Sequence, residues 1–123
     1  MEVREMTLNE YQKNAMETCS PTSNNFSYMM LNLVGKVGEL SSKVAKSIKH
    51  GEASIETCID NDNIKHESDL FYRNDEEAFY RSLMNKAGDI LCQLAGLCTV
   101  MGWDLDDVAR MNLEKLASRK GKQ

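Results

Sequence analysis

Two short segments hold the residues best suited to chemistry, Lys36-Val37-Gly38-Glu39 and Lys86-Ala87-Gly88-Asp89. Each sets an acid three residues after a lysine, with a glycine directly before the acid, inside an apolar helical pattern. Residues three apart share a helical face, and the glycines permit close approach of backbones. Lys36, Glu39, Lys86 and Asp89 are therefore placed to face one another across a helix pair. The lysines are point charges suited to phosphate, and the acids are oxygen donors of the kind Mg²⁺ takes. The same spacing also makes plain intrahelical ion pairs, worth about 0.2–0.5 kcal/mol each. Spacing alone does not separate a site from a solvated helix face.

Four helices are expected to position these residues. Thr7-Leu8-Asn9-Glu10 reads as a capping box, with Met6 and Tyr11 at the staple positions, opening a helix that runs to about Cys19 and stops before Pro21. A second helix starts near Asn25 to Ser27 and ends at Gly51. Its apolar stripe is Met30, Val34, Val37, Val44 and Ile48, and Lys43, Lys46 and Lys49 suit its negative end. The third opens at Asn74 ahead of Asp75-Glu76-Glu77 and closes at Gly102, with Leu83, Ala87, Ile90, Leu94, Leu97 and Met101 as its core stripe. Asp104 caps the last, with Asp107 at the box position and Trp103 opposite Val108 as a staple. That helix runs through Met111 and Leu116 into a basic tail, Arg119 to Lys122. The fold class is all-α.

The chain of 123 residues suits one domain with a modest core. With one proline, 41% hydrophobic and 28% charged residues, it is expected to be a soluble helical protein. A net charge of −4, without a basic stripe interleaved with aromatics, argues against nucleic acid as a partner. No apolar run is long enough to cross a bilayer, and residues 1–10 carry no apolar core of a signal peptide, so a cytoplasmic location is expected. Cys19, Cys58, Cys92 and Cys98 form no CxxC pair, and His50 and His66 stand apart from any metal-binding spacing. Cys92 and Cys98 are read as reduced core residues and the two histidines as solvent-facing. Residues 51–80 hold nine acids against two bases and read as an acidic insert, either a solvated loop or a lid over a site.

Longer runs add a resemblance. Leu8-Asn9-Glu10-Tyr11-Gln12, Leu33-Val34-Gly35-x-Val37-Gly38-Glu39 and Gly88-Asp89-Ile90-Leu91 resemble the MazG-like nucleotide pyrophosphohydrolases. So do Met101-Gly102-Trp103-Asp104-Leu105-Asp106-Asp107-Val108-Ala109 and Asn112-Leu113-Glu114-Lys115-Leu116-x-x-Arg119. The likeness covers nearly the whole chain outside the insert, in order. It implies a four-helix fold assembled as an intimate homodimer or tetramer, and cleavage of nucleoside triphosphates (NTPs or dNTPs) to the monophosphate and pyrophosphate. It implies Mg²⁺ held by an ExxE on one helix and an ExxD on the next long one.

Residue by residue, Glu39 and Asp89 match the second acid of each pair and carry over as catalytic and metal-binding candidates. Asn112, Lys115 and Arg119 match the C-terminal positions that face phosphate; surface charge and a helix-packing hydrogen bond are their plainer roles. Lys36 and Lys86 stand where the family has glutamate, which takes the four positions from a formal charge of −4 to 0. Cys92 and Gln93 stand where aromatics are common. Three readings therefore compete. One is an Mg²⁺-dependent pyrophosphohydrolase with ligands recruited from Glu67, Asp69, Asp75, Glu76 or Glu77. Another is a catalytically weak or inactive nucleotide-binding relative, and the last a helical dimerisation module.

Overall fold

A computed structural model describes residues 5–50, the backbone of 70–76, and 77–121. Among these residues the regular structure is helical: α1 (Leu8–Met16), a short 3-10 turn (Pro21–Ser23), α2 (Phe26–Lys49), α3 (Leu70–Val100) and α4 (Leu105–Gly121). The all-α reading holds. The greater part of the acidic insert lies outside the described residues, as do Cys58 and His66. No helix among the described residues is long and apolar enough to cross a membrane. The chain divides into two compact units, one of residues 1–33 with 91–123 and one of residues 34–90.

The first unit is built on helix ends. Thr7 Oγ1 accepts from the Glu10 amide at 3.0 Å and Glu10 Oε1 from the Thr7 amide at 3.3 Å, so the capping box forms. α1 stops at Met16 rather than near Cys19, because the last turns tighten: the Thr18 amide bonds to Ala15 O and the Cys19 amide to Met16 O. Asn25 then caps α2, its Oδ1 accepting from the Tyr28 amide at 2.8 Å. α3 ends in a Schellman motif, with the Trp103 amide on Cys98 O at 2.7 Å and the Gly102 amide on Thr99 O at 3.1 Å. Gly102 supplies the left-handed backbone this requires, at φ +76°.

Asp104 occupies the N-cap position of α4, and its carbonyl accepts from the Val108 amide. The capping itself comes from α1, across more than ninety residues of chain. Gln12 Oε1 accepts from the Leu105 amide at 2.9 Å and Asn9 Oδ1 from the Asp106 amide at 3.0 Å. Gln12 Nε2 also donates to Thr99 Oγ1 at 3.0 Å and to Trp103 O at 2.9 Å. One buried amide thus ties α1, the end of α3 and the start of α4 together. Around it Ala95, Cys98 and Leu105 are buried, with Tyr11, Met16, Leu94 and Val108 packed on them. Burial pushes the Cys98 thiol pKa up.

Two expected stripes differ from the structure. On α2 the buried methionine is Met29, while Met30, Val34, Val37 and Ile48 are exposed. One residue of helix is a rotation of about 100°, so a neighbouring position faces another way. On α3 Leu97 is buried and Leu83, Ile90 and Leu94 half-buried, but Ala87 and Met101 are exposed. α3 also starts at Leu70, four residues before Asn74. Leu70 to Arg73 contain no helix breaker, so the helix continues through the residues read as its cap.

Candidate functional site

Within the second unit, α2 and α3 bring together three of the four residues singled out by spacing. Lys36 Nζ lies 3.2 Å from Glu39 Oε2, one turn away on the same helix. Lys86 Nζ reaches from α3 to the other oxygen, Glu39 Oε1, at 3.4 Å. The local pairing available to Lys86 was Asp89, three residues on, and it is not the one made. The cross-helix contact wins, and Glu39 is clamped between two ammonium groups. The side chains are 27%, 31% and 47% exposed for Lys36, Lys86 and Glu39, so solvent and anions reach the cluster.

The clamp sets the ionisation of Glu39. The hydrogen bond from Lys36 and its positive charge, followed by the charge of Lys86, hold the carboxyl below the usual carboxylate range; desolvation opposes them and loses. Glu39 is therefore an anion across the neutral range, and the cluster of Lys36, Glu39 and Lys86 has a net charge of +1. Asp89 is half-buried, and among the described residues no cation pairs with it.

This arrangement does not fit a magnesium ion. Both oxygens of Glu39 already face ammonium groups, and a divalent cation there meets two like charges at close range. Among the described residues no three side chains of the His, Cys, Asp and Glu types are grouped to hold a metal. Of the insert acids, Glu67 and Asp69 lie outside the described residues, and the side chains of Asp75 and Glu76 are likewise undescribed. Glu77 is described, and its Oε1 pairs with Arg81 Nη2 at 3.3 Å. What the cluster can do is attract anionic oxygen, since it presents two lysines on one carboxylate.

Asn112, Lys115 and Arg119 belong to the first unit, on α4. Their spacing of three and four puts them on one face, and each is exposed, as is every residue from Arg110 to Gly121. Two features escaped the spacing argument. Gln12 and Asn9 are a helix-capping pair, whose only trace in the sequence is an Asn-x-x-Gln on a short helix. The other is Gln93, a lone amide in the apolar run from Ile90 to Leu97. It lines a cavity of about 130 Å³ within the first unit.

The family model described as "MazG nucleotide pyrophosphohydrolase domain" matches residues 24–122. No curated protein and no solved structure matches the chain.

Proposed function

The chain belongs to the MazG nucleotide pyrophosphohydrolase family, and from that membership we propose that it binds nucleoside triphosphates through lysine rather than through magnesium. The observation that carries this reading is the clamp, with Lys36 and Lys86 each on one oxygen of Glu39 at 3.2 and 3.4 Å. A polyphosphate carries several negative charges that something must neutralise. Where a carboxylate site uses bound cations for this, two ammonium groups supply fixed positive charge instead. The site then attracts the metal-free nucleotide directly.

The same feature argues for weak turnover. Cleavage to the monophosphate and pyrophosphate needs a water held in line with the bond that breaks and charge stabilisation at the leaving oxygen. Glu39 is committed to the lysines, and of the two motif acids Asp89 is the one left to orient a water. We assign Asp89 that positioning role, and Asn112, Lys115 and Arg119 the role of contacting phosphate. A protein that binds nucleotide and hydrolyses it slowly accounts for both the family fold and the altered charges.

Self-association belongs to this proposal. Val34, Val37 and Ile48 on α2, and Met111, Leu113 and Leu116 on α4, are 47–73% exposed. Large apolar side chains this exposed on two helices are more typical of an interface than of a solvated surface. The proposal also takes residues 1–123 as one domain in the cytoplasm, forming a homodimer or tetramer, with the acidic insert as part of it.

The test is calorimetric titration with a non-hydrolysable NTP analogue, with and without Mg²⁺, beside a pyrophosphate-release assay on the four dNTPs. Binding that persists in EDTA, with little pyrophosphate released, is the expected result. Binding that appears only with Mg²⁺ overturns the lysine reading and points to ligands from the insert. Light scattering of the same sample reports the assembly.

A further inference from the structure

The cluster of Lys36, Glu39 and Lys86 is already an anion complex, with the anion supplied by the chain itself. Lys36 Nζ faces Glu39 Oε2 at 3.2 Å, and Lys86 Nζ faces Oε1 at 3.4 Å. Two ammonium groups on the two oxygens of one carboxylate make a seat for a bridging anion. Lysine takes phosphate oxygens in the same way, as a point charge with hydrogen-bond donors. A polyphosphate and Glu39 therefore compete for the same two cations.

Several observations make the carboxylate exchangeable. Both contacts are longer than the about 2.7–2.9 Å of a strong charge-assisted hydrogen bond. The Glu39 side chain is 47% exposed, and ion pairs that face solvent are weak and screened by salt. Open ground adjoins the cluster as well. A Cβ added at Gly38, directly before Glu39, or at Gly88, two residues beyond Lys86, meets no atom within 4 Å among the described residues. The reach of the acid also matters. Asp89 lies three residues from Lys86, as Glu39 does from Lys36, yet Lys86 crosses to α2 and pairs with the longer acid.

We propose that Glu39 is a built-in competitor for the anion seat between Lys36 and Lys86, which a polyphosphate must displace in order to bind. The acid that stands at a metal-ligand position thereby acts in the opposite sense: removing it tightens the hold on phosphate instead of abolishing it. This rests on the reading that the two lysines bind nucleotide phosphate. It adds that the chain's own carboxylate sets the ligand concentration at which the seat fills.

Inorganic tripolyphosphate is the probe, titrated calorimetrically into the intact protein in EDTA at neutral pH. Glu39→Gln keeps the size of the side chain and raises the net charge of the cluster, two lysines and one acid, from +1 to +2. It is expected to bind about tenfold more tightly than the parent, or better, because a unit charge is removed at contact distance from the ligand. Glu77→Gln makes the same change of charge on α3, where Glu77 pairs with Arg81. It lies nine residues from Lys86, about 13.5 Å along the helix and beyond a Debye length of about 8 Å, so less than about a threefold change is expected. Glu39→Asp keeps the charge and draws the carboxylate back by one methylene, so that it no longer spans both lysines. Its affinity is expected to rise by about threefold or more, the effect of freeing one weak ion pair.

A parent that binds tripolyphosphate, with Glu39→Gln equal or weaker, overturns the proposal and leaves the lysine reading standing. Equal gains from Glu39→Gln and Glu77→Gln overturn it too, since overall charge then accounts for the effect. Glu39→Asp at the affinity of the parent also overturns it, because charge near the lysines, and not their occupation, then sets the binding. Binding by none of these proteins overturns the lysine reading itself, and this proposal with it.

Discussion

Replacing Gln12 by methionine removes one side chain and unties three segments. Methionine keeps nearly the same length and volume, so packing is preserved and the hydrogen bonds alone are lost. Those are Nε2 to Trp103 O at 2.9 Å, Nε2 to Thr99 Oγ1 at 3.0 Å, and the Leu105 amide to Oε1 at 2.9 Å. Gln12 is only 8% exposed and Leu105 4%, so water does not readily replace them.

Thr99 keeps its bond to Ala95 O at 2.8 Å and loses little. The Leu105 amide loses its acceptor in a buried setting, which costs about 1–3 kcal/mol, and the Trp103 carbonyl loses a donor worth about 1 kcal/mol. The sum is about 2–4 kcal/mol. At about 4 °C of melting temperature per kcal/mol for a domain of this size, the loss is about 8–16 °C. Thermal and urea unfolding followed by circular dichroism measure it. Fluorescence of Trp103, the one tryptophan, reports the same region. A variant within about 0.5 kcal/mol of the parent, the range of an ordinary surface change, refutes the view that this amide holds α1, α3 and α4 together.

Other expectations follow from the clamp and its surroundings. Lys36→Glu with Lys86→Glu rebuilds a four-acid set and is expected to raise Mg²⁺-dependent pyrophosphate release by about tenfold or more; a folded but inert double variant places the defect beyond these two positions. Glu39→Gln is expected to lower stability near neutral pH, by an amount that vanishes in acid. The folded-state carboxyl lies below its unfolded value of about 4.3, so its stabilisation is present above that pH and is lost as the pH falls through the folded value. Urea midpoints of parent and variant between about pH 7 and about pH 3 show whether the two curves converge. Lys115→Ala with Arg119→Ala is expected to weaken binding of the NTP analogue several-fold and to flatten its salt dependence. An unchanged affinity returns both residues to surface charge.

Local signals in the sequence predicted several helix ends, though not the start of α3 at Leu70 or the stop of α1 at Met16. The capping box at Thr7 and Glu10, the start at Asn25 and the stop at Gly102 each depend on a few adjacent residues, and each forms. The Lys36–Glu39 pair was legible for the same reason. What the sequence hid was non-local. Lys86 has an acid three residues away and pairs instead with one 47 residues distant. The cap of α4 was sought at Asp104 and comes from α1. The apolar rhythm of α2 showed that a face exists, but rhythm carries no information on what covers it, and Val34 and Ile48 prove to be 63% and 67% exposed. The sequence runs pointed to the family; only the fold showed that Glu39 is already occupied.

That occupation has a consequence for how the protein keeps its shape. A cluster of four carboxylates repels itself until cations arrive, so such a protein gains stability from the metal by mass action and loses it under chelation. Here the counterions are part of the covalent chain. Lys36 and Lys86 pair with Glu39 without any divalent ion. Folding is thereby uncoupled from metal supply, and unfolding curves in EDTA and in excess Mg²⁺ should superimpose.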